Sequence, residues 1–405
     1  MPEDVFFIAK HPDLLGDPLL GPNEYLRFQP IRFNVKGEAL DPRGASSGDL
    51  ACPRCHLQIP DAMVEIPPLF ISMIGSPASG KSYFLTTMSW ELRRLMPEFH
   101  LEFSDADPVA NGALHEYEHT LFMNPQPDYP TEIRKTQVDD PKLHRTATIN
   151  GVPTRFPIPL QFRLWPMASH PQFEQAHKHG CLLVLYDNAG EDFLPGVESS
   201  NSAVVQHLAK SQILFMLFDP TQDPRFKVTC RKDDPQLSHG LRPGSNQPFS
   251  ILRQETLLKE ASVRIRRYLG ISQTMRIKKP LFVIVPKFDL WEDMSGLSIS
   301  EEPYIRTDSS SPIRIDQARI EKTDCVIREI FRKYCPEFVA TAESLSEIVH
   351  YIPVSSLGCS PVLVKKDEQE YYGIKPQDIH PKWVSVPLTY CLSKYASGLI
   401  FKANE

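Results

Sequence analysis

Residues 69–87 read LFISMIGSPASGKSYFLTT. The apolar run 69–75 has the length and composition of a buried strand, and residues 81–96 have the periodicity of an amphipathic helix. Between them, Gly75-Ser76-Pro77-Ala78-Ser79-Gly80-Lys81-Ser82 has the spacing G-x-x-x-x-G-K-[ST]. The two glycines let the backbone curl so that successive N–H groups converge on one phosphate cluster. Lys81 then reaches the outer phosphates, Ser82 offers its hydroxyl to Mg²⁺, and the helix that begins there turns its positive end toward the anion. A plain Gly/Ser turn needs neither the strand before nor the helix after. Gly75 through Tyr83 is therefore the candidate phosphate-binding segment.

Outward from this loop the same alternation continues. Strands are expected at 99–105, 181–187, 213–219, 280–285 and 349–354. Helices are expected at 108–122, 253–270, 315–334 and 388–400, with Gly270 as a C-cap. Residues 156–166 read as an edge strand, because Pro157 and Pro159 lack ladder donors. Near-continuous apolar strands alternating with helices predict an α/β fold, with a mostly parallel sheet covered by helices on both faces. Residues 1–65 predict a small loop-rich N-terminal module, and 66–405 a single P-loop domain with insertions. Turn residues and mixed charge mark 123–145, 220–250 and 292–314 as the least regular stretches.

Composition narrows the function. The chain has 405 residues, 44 Lys and Arg against 50 Asp and Glu, and a formal net charge of −6. That balance disfavours nucleic acid as the main partner. The 38 prolines suit long ordered connections. The longest apolar runs are strand-sized, which predicts no membrane span. The start, MPEDVFFIAKHPDLLGD, predicts no signal peptide, and six scattered cysteines beside one close pair suit reduced thiols in a cytoplasmic protein.

Later elements address the base and the metal. Asp187 ends a buried strand, where a carboxylate orders Mg²⁺ through water, and Asp187-Asn-Ala-Gly190 reads D-x-x-G. Pro286-Lys287-Phe288-Asp289 follows another buried strand and is similar to the guanine motif [NT]-K-x-D of GTPases. There the aspartate accepts two hydrogen bonds that only guanine donates, and the lysine stem packs over the base. Ser355 and Ser356 follow the last strand and resemble the element whose backbone meets guanine O6. Thr136, and less so Thr131, lie where a metal-sensing switch threonine is expected.

Taken in order, these elements resemble P-loop GTPases of the translation-factor and Ras-like branch. The phrases PPLFISMIGSPASGKSYFLTTM, YDNAGEDF and PKWVSVPLTYCLSKY, with a CPRCH knuckle before the first strand, are similar to the bacterial double-GTPase families of conflict and defence systems. The resemblance spans roughly residues 50–405. It implies GTP/GDP and Mg²⁺ as ligands, slow hydrolysis, and protein partners such as a second GTPase or an effector encoded nearby. Gly190 would sense the γ-phosphate. Two departures stand out: Pro286 replaces Asn or Thr, and Glu191 replaces the glutamine that positions attacking water. An ionised glutamate accepts hydrogen bonds but donates none. Arg134 and Arg225 are the arginine candidates for completing the site. A P-loop ATPase and a nucleotide-bound scaffold without turnover are the alternatives.

Cys52-Pro-Arg-Cys55 is a knuckle of the kind that holds zinc by two thiolates, and a structural site needs four ligands. No second CxxC is present. His56 and His11 are the possible additions, though His56 adjoins Cys55 and is poorly placed for the same ion.

Overall fold

Seven strands build the central sheet of this computed structural model: β1 (Pro68–Gly75), β2 (Leu101–Asp105), β3 (Leu160–Pro166), β4 (Cys181–Asp187), β5 (Ile213–Leu217), β6 (Leu281–Val285) and β7 (Val349–Pro353). The structure describes residues 5–133, 144–149, 151–188, 203–231, 234–237, 253–308, 310–366, 369–396 and 398–403. The spatial order is β2-β3-β4-β1-β5-β6-β7. Strands β4, β1, β5, β6 and β7 run parallel. Strand β3 is antiparallel to β4, and β2 is antiparallel to β3. The sheet is thus mixed and mostly parallel, as the apolar strands predict.

Every residue of β5 and β6 is buried, which follows from cover on both faces. The longer helices are α1 (Lys81–Leu95), α2 (Gly112–Phe122), α3 (Ala203–Lys210), α4 (Gln254–Leu269), α5 (Phe288–Ser295), α6 (Gln317–Tyr334), α7 (Pro336–Leu345) and α8 (Val386–Tyr395). Successive strand residues point to opposite faces. Phe282 meets Tyr390 and Tyr395 of α8. Tyr351, the register partner of the next residue Val283, meets Phe331 of α6. Helices α8 and α6 therefore cover opposite faces. Phe282 also packs against Phe215 and His350 on its own face. Phe282→Ala is expected to cost about 3–5 kcal/mol, because the cavity among these rings cannot collapse. Urea unfolding followed by circular dichroism measures it, and a loss well under 1 kcal/mol would mean that the face repacks.

Several expectations are corrected. The 156–166 segment is not an edge strand. Its strand begins at Leu160, after both prolines, and lies between β2 and β4, so no ladder donor is lost. The edge is β2. Pro157 closes a separate hairpin, His144–Ile149 with Val152–Pro157. The helix expected from 108 begins at Gly112, because the Asp107 carboxylate holds a turn through the N–H groups of Val109 and Ala110. Helix α7 was not expected. Pro336 sits in the first turn of α7, where no N–H is needed. After β6 the chain passes through one left-handed residue, Lys287 at φ 58°, with α5 starting immediately after it. Within 220–250, residues Pro220–Gln222 and Pro224–Lys227 are helical turns, each capped by an aspartate.

The first sixty-odd residues carry more strand than the loop-rich reading expects. Arg27–Phe28, Phe6–Ile8, Leu50–Ala51 and Gln58–Ile59 form an antiparallel sheet. A separate small core of Phe7, Ala9, Phe28, Ala39 and Leu50 supports it.

Topology positions the site. The chain builds β2, β3 and β4 on one side of β1, crosses to β5, and continues outward on the other side. Ligands of open α/β sheets bind where the order reverses in this way, beyond the carboxyl ends of the strands. Gly75, Asp187, Asp219, Lys287 and Ser355 all lie at or just past such ends.

Candidate functional site at the carboxyl edge of the sheet

The 75–82 loop has the curled form its sequence predicts. Ala78 and Gly80 are left-handed, at φ 59° and 91°. A Cβ on Gly75 would lie 3.2 Å from Leu217, Lys81 and Ser79, so any larger residue crowds the loop. Lys81 folds back over it, and its Nζ donates to Gly75 O at 3.0 Å and Ser76 O at 3.1 Å. Helix α1 starts at Lys81, with Gly80 as N-cap and no side chain capping its first N–H groups. Ser79 Oγ is buried and has no hydrogen-bond partner among the described residues. A loop with glycine turns, a helix N-terminus and a folded-back ammonium forms a cradle for an anion.

Strand β4 delivers Asp187 to the neighbouring strand end. Burial pushes its carboxyl above the usual aspartate range, and the Lys81 charge opposes that rise. Its Oδ1 is buried without a hydrogen-bond partner among the described residues. Asn188 ties this corner to β1, its Nδ2 donating to Met73 O at 2.9 Å. A buried, undercommitted carboxylate beside a phosphate-type loop fits a hydrated divalent cation, with Ser82 and Asp187 as the residues to hold it.

On the other flank, Lys287 and Asp289 are brought to one corner with Ser355. Ser355 Oγ donates to Asp289 Oδ1, joining the end of β7 to the start of α5. Burial raises the Asp289 carboxyl above its ordinary range, and the Ser355 hydrogen bond partly counters it. Ser356 is buried, and its Oγ has no partner among the described residues. Lys287 Nζ donates to Asp219 Oδ2 at 2.7 Å and Thr221 Oγ1 at 3.0 Å.

Three polar residues of this edge escape the sequence reading: Asp219, Thr221 and Gln222. Gln222 receives the Ser76 hydroxyl at 2.8 Å, and its Nε2 donates to Pro77 O at 3.1 Å. One segment after β5 therefore holds both the phosphate-type loop and Lys287. The aspartate ending ILFMLFD was the available signal, since it stands at a strand end in the same way as Asp187.

The remaining candidates divide. Thr131 is fixed by a backbone bridge, its N–H donating to Ile374 O at 2.9 Å and its own O accepting from Ile374 N at 2.8 Å. Ile133 N donates to Tyr83 OH at 3.2 Å, so the chain reaches the first turn of α1 just before residue 134. Arg134, Thr136, Gly190 and Glu191 lie outside the described residues. Arg225 is committed elsewhere, to Asp223 at 3.2 Å and Glu337 at 2.8 Å.

Cys52 and Cys55 are both half-buried free thiols. Among the described residues no third His, Cys, Asp or Glu completes a metal-binding group with them. The His56 ring is turned to Asp17, with Nδ1 2.8 Å from its carboxylate, and His11 Nδ1 accepts from Asp13 N. Among the described residues, then, two of the four ligands that a structural zinc site needs are brought together.

No protein-family model matches the chain. Over 175 residues it is 26% identical to a Mycolicibacterium smegmatis protein bearing the provisional name ESX-1 scaffolding and assembly protein SaeC. The match covers 42% of this chain and 37% of that protein, so the chain spans little more than a third of its relative's length. Among solved structures, elongation factor SelB of Methanococcus maripaludis, in complex with the GTP analogue GPPNHP, is 9% identical at a TM-score of 0.22. The overlap is 72% of this chain and 30% of that one. Era of Aquifex aeolicus, bound to GDP and aluminium fluoride, is 11% identical at a TM-score of 0.25, over 72% and 52% of the two chains. Sup35 complexed with GDP is 11% identical at 0.23, over 72% and 38%. At these scores the likeness says nothing of chemistry. Among the described residues no helix is long and apolar enough to cross a membrane.

Proposed function

We propose that this chain binds a guanine nucleotide with Mg²⁺ along the carboxyl edge of its sheet and works as a slowly hydrolysing switch. The observation that carries the proposal is the meeting of Asp289 and Ser355 on the same edge as the Gly75–Ser82 cradle. Backbone N–H groups of the loop and Lys81 hold the phosphates. Ser82 and Asp187 hold the cation, which neutralises phosphate charge when bound. Asp289 accepts from the guanine edge, and Ser355 fixes its orientation. The Asp219 and Thr221 contacts hold Lys287 where Pro286 offers no side-chain amide. Thr136 and Gly190 would sense the cation and the γ-phosphate. Titration with fluorescent GDP, GTP and ATP analogues in Mg²⁺ tests the reading. Guanine nucleotides should bind and ATP should not, and preferential ATP binding would overturn it.

Gln222 offers a finer check, because its side chain is hydrogen-bonded to the loop at Ser76 and Pro77. Gln222→Ala removes two hydrogen bonds of about 1 kcal/mol each, so nucleotide affinity should fall roughly tenfold or more. Base preference should not change. An equal loss of GTP and GDP affinity is the expected titration result, and unchanged affinity would show that the loop needs no brace.

Glu191 supports a second reading, a nucleotide-bound scaffold without turnover, since an ionised glutamate cannot donate to phosphoryl oxygens. The name of the M. smegmatis relative agrees with an assembly role, and the double-GTPase resemblance agrees with a partner-dependent switch in a bacterial conflict system. Single-turnover hydrolysis, with and without the products of neighbouring genes, separates the two readings.

A further inference from the structure

Residues 374–382 return the chain from the hairpin of Val362–Lys366 and Gln369–Gly373 to the carboxyl edge of the sheet, and they touch that edge at two corners. The first is the corner of Asp289 and Ser355. Ser355 N donates to Lys382 O at 3.0 Å, and Lys382 N donates to Ser355 O at 2.9 Å. His380 N donates to Leu357 O at 2.7 Å. Gly358 N donates to Ser355 Oγ at 3.0 Å, so the hydroxyl that meets Asp289 is held from within its own turn. Gly358 is left-handed, at φ 68°, and a Cβ on it would collide with the His380 carbonyl. Lys382 Nζ also lies 3.7 Å from Glu292, on the helix that carries Asp289.

The second corner is the chain that leads to Tyr83. Ile374 is bridged to Thr131, Gln377 N donates to Pro127 O at 3.2 Å, and the Tyr371 hydroxyl donates to Pro130 O at 3.3 Å. Gly373 permits this approach, since a Cβ there would lie 2.7 Å from Pro130 Cβ and 3.1 Å from Pro130 C. Just past Thr131, Ile133 N donates to Tyr83 OH in the first turn of α1. Pro376 and Pro381 stiffen the segment between its two ends, because their rings fix φ. Beyond it, Trp383 is fully buried, its backbone N–H on Glu302 Oε1 and its indole N–H on Glu301 O, both at 2.8 Å. A stiff segment paired through its backbone at both ends passes order at one end to the other.

We propose that residues 373–382 are a positioning strap that joins occupancy of the Asp289 corner to the 127–133 segment beside α1. The inference rests on the guanine reading of that corner. Guanine held by Asp289 fixes the Ser355 turn, and the strap carries that order to Thr131 and Ile133. A ligand that never reaches the 75–82 loop is then sensed beside it.

Guanosine, which has no phosphate, is therefore the probe, and adenosine is its control. Amide hydrogen exchange, read by mass spectrometry on peptic peptides of the full chain, follows both corners. Guanosine should slow exchange in peptides covering 355–358 and also 127–133, by about fivefold or more, the low end of ordinary coupling between sites. Adenosine should slow neither. Gly373→Val should keep the slowing at 355–358 and lose it at 127–133. Gly373 ends a strand, so a side chain there acts by pushing against Pro130. Gly373→Ala, a smaller wedge with less risk to folding, should lose part of the slowing at 127–133. Slowing at 355–358 alone in the unaltered chain overturns the strap and leaves the guanine reading standing. So does slowing at 127–133 that survives both glycine variants. Equal slowing by adenosine, or none at 355–358, overturns the guanine reading and the strap with it.

Discussion

Asp289→Ala should erase the preference for guanine over adenine nucleotides, lowering GTP and GDP affinity by roughly a hundredfold or more. The size follows from two hydrogen bonds to a charged acceptor, each worth about 1.5–3 kcal/mol when the base is desolvated. Adenine presents no donor pair in that place, so ATP binding, weak at the outset, should not change. The substitution also strands the Ser355 hydroxyl, which now donates to Asp289. Asp289→Asn separates these effects, since it keeps an acceptor for Ser355 but loses the charge and meets one guanine donor with a donor of its own. Acidity gives a third handle. Burial raises the Asp289 carboxyl, and only its ionised form accepts both guanine donors. As pH falls through that raised value, guanine affinity should weaken at a higher pH than an ordinary aspartate near 3.9 would allow. Parallel titrations of the three proteins with fluorescent GDP, GTP and ATP analogues measure all of this. GTP affinity indifferent to the alanine variant would sink the guanine assignment and leave a phosphate-binding edge of unknown base.

What was legible in the sequence was local. Gly75, Gly80 and Lys81 act through backbone conformation and spacing within one turn, so the loop could be read without its surroundings. Strands β1, β4, β5, β6 and β7 could be read because strands buried on both faces need apolar residues at every position. Strand β3 was misplaced because proline was weighed without knowing where the ladder starts, at Leu160. Asp219, Thr221 and Gln222 were missed for a different reason. Their partners, Lys287 and the 76–77 backbone, are far away in sequence, and only the folding of β5 between β1 and β6 brings them together. A short polar run after a strand carries no sign of such contacts. The cysteine pair shows the opposite limit: thiol chemistry is plain in CPRC, but its spacing does not say which other side chains stand beside it.

Lys81→Ala should have the larger effect on phosphate binding, a loss on the order of a hundred- to a thousandfold for GTP and GDP alike. The ammonium now donates to the Gly75 and Ser76 carbonyls, so it is held over the mouth of the cradle before any anion arrives. Turning it toward phosphate exchanges two neutral acceptors for charged ones, which form hydrogen bonds roughly twice as strong. Lys81→Arg should not rescue binding, because the planar guanidinium is too broad for a loop in which a Cβ on Gly75 already comes within 3.2 Å of its neighbours. The charge has a second target. Lys81 is what lowers the Asp187 carboxyl against the rise that burial causes. Its removal should therefore raise Asp187 further and make cation binding more dependent on alkaline pH. A double-mutant cycle with Asp187→Asn tests that coupling. If ammonium and carboxylate serve one Mg²⁺–phosphate unit, the double variant should lose much less than the two single losses added together. Strict additivity, with Mg²⁺ dependence intact in Asp187→Asn, would separate the two residues and place the cation elsewhere on the edge.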